Sequence, residues 1–120
     1  MKKIFIASLV ACVFVSCDLS KYKLDKDYDF ETVFEKSEGT QTPTYKEIIK
    51  YYEELDDAFT TIQLKEFGKT DSGEPLHLAI FNPSENFNLD EIRENYTIIL
   101  INNGIHPGES DGIDATMMLF

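Results

Sequence analysis

The stretch from Asn102 to Gly112 (NNGIHPGESDG) holds the two side chains best suited to chemistry, His106 and Glu109. They are spaced as His-x-x-Glu. An imidazole nitrogen and a carboxylate oxygen are both good ligands for Zn²⁺. A catalytic zinc uses three protein ligands and a water, so this pair needs a third ligand from elsewhere in the protein. Gly104 and Gly108 let the backbone turn sharply around an ion. Pro107 stiffens the link between the two ligands. Taken bare, the pattern is weak, because such pairs occur in many surface loops.

The other candidates are poorer. His77 is the only other histidine, and it sits among apolar residues, where a structural role is the ordinary reading. Asp111 and Asp114 are placed to bond a ligand imidazole from behind, but acids at a helix start are more often solvated. Glu53, Glu54, Asp56 and Asp57 read as the solvated face of a helix, with no catalytic pair among them.

The elements that must position the pair follow from the patterning. Pro43 suits a first helical turn, and Thr44-Tyr45-Lys46-Glu47 has the form of a capping box. Tyr45, Ile48, Ile49, Tyr52, Leu55 and Phe59 recur at helical spacing, which predicts a helix over 43–59. Ile62, Leu64 and Phe67 begin a strand expected to stop at Gly68. Thr70 to Pro75 is a turn in which Asp71 and Ser72 bond local backbone, and Leu76, Leu78 and Ile80 alternate after it. Together these predict a β-hairpin. Asn82 to Asn95 is a polar connection with a helical turn near Leu89–Ile92. Tyr96 to Ile101 is a continuous apolar run, the mark of a strand buried on both faces of an α/β sheet. The His-x-x-Glu loop follows it, at the carboxyl end of a strand, where sites of open α/β sheets collect. Ile113, Met117 and Phe120 begin a last helical stripe. It reaches Phe120 without a cap, Gly or Pro, so the reading expects a longer domain of which this is the first part.

From Thr42 onward the chain resembles the carboxypeptidase A-like zinc metallopeptidase family. The resemblance lies in the order of helix, hairpin with Gly68-Lys69-Thr70-Asp71-Ser72-Gly73-Glu74-Pro75-Leu76, buried strand, and Asn103-Gly104-Ile105-His106-Pro107-Gly108-Glu109. It is closest to bacterial envelope members with His-Pro-Gly-Glu. It implies an α/β fold, a mixed sheet with flanking helices, with only the N-terminal portion present. It implies that His106 and Glu109 are the first two zinc ligands. A third ligand histidine and a general-base glutamate are expected beyond Phe120, so no catalytic residue falls within the chain. Digestive members carry an arginine where this sequence has Gly108, which puts their substrate preference in doubt. The implied reaction is zinc-dependent hydrolysis of amide bonds, removing C-terminal residues from peptides. Two rival readings share the scaffold: a zinc-dependent N-deacylase, and a non-catalytic lipoprotein that binds peptide or glycan.

The N-terminal segment sets location. Lys2 and Lys3 precede an apolar run, Ile4 to Val15, that is shorter than the roughly 20 residues of a membrane span. It resembles a bacterial lipoprotein signal. Leu9-Val10-Ala11-Cys12 matches the lipidation box locally. Phe14-Val15-Ser16-Cys17 is looser but better placed, with the full apolar run before it and polar residues after it. Cys17 is therefore the expected lipidated residue. The expected division is a signal peptide over 1–16, a lipid-anchored polar tether over 17–41 with a short packed piece around Phe30, Val33 and Phe34, and a truncated catalytic domain over 42–120. The expected place is the bacterial cell envelope, on its membrane through the lipid. Net charge is −11, and loss of Lys2 and Lys3 with the signal makes it −13. Such a balance excludes nucleic acid as a partner, since phosphates need Lys and Arg.

Overall fold

The structure, a computed structural model, describes residues 27–106 and 108–120. The expected signal peptide, Cys12, Cys17 and the first part of the tether lie outside the described residues, as does Pro107. The architecture is a small mixed one: helices α1 (Val33–Lys36), α2 (Tyr45–Ala58), α3 (Leu89–Asn95) and α4 (Asp111–Leu119), with an antiparallel pair of strands, β1 (Ile62–Lys69) and β2 (Pro75–Phe81), between α2 and α3. Among the described residues no helix is long and apolar enough to cross a membrane.

Helix α2 begins where local chemistry tells it to. Glu47 Oε2 accepts from both the backbone N–H and the hydroxyl of Thr44, each at 2.7 Å, which satisfies donors that the first turn leaves free. Pro43 lies just before this cap rather than inside the first turn. Leu55, from the apolar stripe of α2, is buried, and so are Ala58 and, beside them, Tyr51, which the stripe leaves out. They meet Ile62 of β1 and Met117 of α4, with Phe30, Ile48, Tyr52, Phe59, Ile113 and Phe120 packed around. Tyr51 carries a hydroxyl into this core and donates it to the Met117 carbonyl at 2.9 Å, so burial leaves no orphan.

The hairpin forms as expected, with a difference at its tip. Thr70, not Asp71 or Ser72, closes the turn: its N–H donates to Glu74 O at 2.7 Å, and its hydroxyl accepts from Glu74 N–H at 3.0 Å. Strand β1 also runs through Gly68 to Lys69. The register steps from Glu66 opposite His77 to Gly68 opposite Leu76, so Phe67 bulges out unpaired and is exposed.

The chain over 28–36, expected within the tether, packs on the core. Phe30 lies between Tyr28 and Phe59, with ring centroids 5.4 and 5.3 Å away. Thr32 is buried and forms a second capping box with Glu35 at the start of α1.

Residues 96–101 differ most from expectation. Their continuous apolar run predicts a strand buried on both faces. They are outside any helix or strand, and Ile99 and Leu100 are 80% and 75% exposed. Burial on both faces needs strands alongside and helices above and below. Among the described residues no strand pairs with this segment, and the sheet stops at β1 and β2.

Candidate metal centre

Helix α3 is capped by Tyr96, whose N–H bonds Ile92 O at 2.9 Å, and in the loop from there to α4 the described residues lie outside any helix or strand. In that loop Glu109 N–H donates to the His106 carbonyl at 3.3 Å, closing a four-residue turn. Gly108 is its third residue, at φ +87°. A turn with positive φ at that position favours glycine, because a Cβ there is strained. The backbone of this loop therefore suits the Gly108 that the sequence has and would strain a larger side chain such as arginine.

The turn brings the two side chains to one point. His106 Nδ1 and Glu109 Oε2 lie 3.1 Å apart, and both side chains are largely exposed. Two donors, each about 2.0–2.1 Å from a tetrahedral zinc, are separated by about 3.3 Å. The spacing fits two corners of a zinc tetrahedron. It equally fits a hydrogen bond in which a protonated Nδ1 donates to the carboxylate, so a proton and a metal ion compete for one position. Glu109 stands just ahead of the N-terminus of α4, where the helix dipole favours a negative charge.

The remaining candidates are elsewhere. His77, on β2, bonds Tyr45: its Nδ1 is 3.1 Å from the tyrosine oxygen. That hydroxyl has one proton, which goes to Pro75 O at 3.0 Å. His77 Nδ1–H is then the donor to Tyr45, a structural contact that ties the start of α2 to β2. Asp111 is exposed. Asp114, whose place at a helix start predicts solvation, is 4% exposed and accepts from the Thr42 hydroxyl at 3.0 Å. Its partner is far away in sequence, so no local pattern announced the burial. Glu53, Glu54, Asp56 and Asp57 line a shallow concavity with Asp27, Tyr28 and Lys50. Tyr28 donates to Asp57 at 2.7 Å, and Lys50 pairs with Glu54 at 3.5 Å. Among the described residues no three of His, Cys, Asp and Glu are grouped to hold a metal ion. His106 and Glu109 are thus brought together, and among the described residues no further ligand joins them.

No family model matches the chain, and neither a curated protein nor a solved structure matches it.

Proposed function

We propose that these residues are the metal-binding front part of a zinc-dependent amide-bond hydrolase, a metallocarboxypeptidase acting on peptides at the bacterial cell envelope. The observation that carries the reading is the 3.1 Å convergence of His106 Nδ1 and Glu109 Oε2 on a loop whose Gly108 adopts positive φ. The resemblance of the helix, hairpin and Asn103–Glu109 stretch to carboxypeptidase A-like enzymes supplies the chemistry.

In this reading His106 and Glu109 hold Zn²⁺ with a histidine from beyond Phe120, and a glutamate from the same region acts as base. Bound zinc supplies a Lewis acid for the scissile carbonyl and lowers the pKa of a water. His106 contributes a neutral nitrogen, and Glu109 offsets part of the ion's charge. The hairpin and residues 96–101 belong to a larger mixed sheet flanked by helices, which gives the exposed apolar run its missing neighbours. A lipid on Cys17 anchors the protein to the membrane, and the acidic surface disfavours nucleic acid.

Zinc titration by calorimetry tests the pair, with Cys12 and Cys17 changed to serine in every sample so that thiolates do not compete. The chain is expected to bind zinc weakly, through two ligands, and to hydrolyse no peptide by itself. His106→Ala removes that binding. Glu109→Gln weakens it, because an amide oxygen is a poorer ligand than a carboxylate. Equal zinc binding by both variants and the parent would end the assignment.

A further inference from the structure

We propose that Asn103 and Thr116 are positioning residues that clamp the base of the loop carrying His106 and Glu109, an inference that rests on the reading of that pair as metal ligands. The clamp is a short relay. Asn103 Nδ2 donates to Thr116 Oγ1, and Thr116 Oγ1 donates to the Gly112 carbonyl at 2.8 Å. The asparagine side chain lies against the first turn of α4 so closely that a Cβ on Gly112 would stand 2.7 Å from Asn103 Oδ1. A second contact runs beside it. Gly104, at φ +69°, presses on Ile113, and a Cβ there would stand 2.7 Å from Ile113 Cδ1. Ile113 in turn packs on the buried cluster that holds Met117.

The two ends of the loop are thus fixed to one helical turn. The chain leaves that turn after Gly104 and returns to it at Gly112, and both ligands lie on the excursion between. His106 and Glu109 are largely exposed, and among the described residues neither belongs to the buried cluster or packs against it. Their relative placement therefore depends on the short turn between them and on where the loop is rooted. A floppy root spreads the two donors over many separations, and the ion must then pay the entropy of ordering them. Partners bonded directly to a ligand commonly change metal affinity by roughly 10–100-fold when removed, and Asn103 and Thr116, which bond each other and Gly112 rather than a ligand, act at the lower end of that range at most. Thr116 is the sensitive point, because its hydroxyl both receives from Asn103 and gives to Gly112.

The test follows the His106 imidazole of the whole 120-residue chain, with Cys12 and Cys17 changed to serine in every sample, by nitrogen-15 NMR while zinc is added, with His77 as the internal control. Thr116→Val keeps the side chain's shape and removes the relay. It is expected to raise the zinc concentration at the midpoint of the His106 response by on the order of tenfold. Thr116→Ser keeps the hydroxyl and should titrate like the parent. Asn103→Ala cuts the relay from the loop side, leaves α4 unchanged, and should reproduce the Thr116→Val shift even if the valine variant folds poorly. Midpoints that coincide for Asn103→Ala, Thr116→Ser and the parent would overturn the clamp while leaving the ligand pair standing. A parent chain in which zinc leaves His106 unmoved would overturn the ligand pair itself and the clamp with it.

Discussion

Thr42 and Asp114 are joined by a 3.0 Å hydrogen bond from the threonine hydroxyl to the carboxylate, across 72 residues of sequence. The bond ties the segment before α2 to the first turn of α4, the helix that roots the His106 loop. Asp114 is buried, so removing its donor leaves a polar group without its protein partner. Thr42→Val should therefore destabilise the fold by roughly 1–3 kcal/mol, measured by urea denaturation. Thr42→Ser should recover most of the loss. If the valine and serine variants unfold together with the parent, the bond contributes nothing.

Leu55 is the most buried large side chain of α2, at 2% exposure, and faces Ile62 and Met117. Truncation removes methyl groups from a small core that has few other contacts. Leu55→Ala should cost about 2–5 kcal/mol. Circular dichroism during thermal unfolding checks this, and a shift no larger than that of an exposed control such as Leu119→Ala would contradict the packing described.

Two capping boxes make stability depend on acid. In the first, Glu35 is held below the usual carboxylate range by the Thr32 backbone N–H and then by its hydroxyl. In the second, the Thr44 hydroxyl and then its N–H lower Glu47. A carboxyl depressed on folding stabilises above its unfolded value of 4.5, and that contribution is lost as pH falls through the lower folded value. The fold should weaken below about pH 4.5 partly for this reason. The double variant Glu35→Gln, Glu47→Gln should show a shallower loss over that window. An unchanged slope in paired denaturation curves would argue against the boxes.

Local chemistry was legible in the sequence. Thr44 and Glu47 sit three apart and cap a helix wherever one begins. The spacing of His106 and Glu109 let one turn bring them together, and Thr70 to Pro75 could only be a turn. What was hidden depended on partners distant in the chain. Asp114 looked like a solvated helix-start acid, because Thr42 gave no local sign of pairing with it. Nothing in the sequence pairs Asn103 with Thr116, thirteen residues on, and their bond shows only in the fold. The run 96–101 was read as buried because its composition asks for burial, but composition does not supply the neighbouring strands.

Cys17 lies outside the described residues, and the proposal that it is lipidated rests on its place after the apolar run. Metabolic labelling with a palmitate analogue in a bacterial host should mark the parent and Cys12→Ala, and should not mark Cys17→Ala. Labelling that follows Cys12 instead would move the signal boundary and leave Val13-Phe14-Val15 in the mature protein.

Residues 96–101 make a sharper claim about association. Tyr96, Ile98, Ile99, Leu100 and Ile101 are all at least half exposed, and the segment carries no charge, glycine or proline. Extended apolar chain with unpaired backbone is a template for pairing with another copy. The strongly acidic remainder of the chain opposes close approach, so association should proceed through this uncharged stretch. A single charge at its most exposed position should interrupt it. Ile99 is 80% exposed, so Ile99→Lys loses little folding stability in these residues. Sedimentation of the parent is expected to show growth of large species with concentration, and Ile99→Lys should remain small at the same concentrations. A control lysine on the polar face of α2, Glu53→Lys, changes charge by more yet leaves the apolar run intact, so it should associate as the parent does. Should Glu53→Lys suppress association as well as Ile99→Lys does, net charge rather than the 96–101 segment governs it.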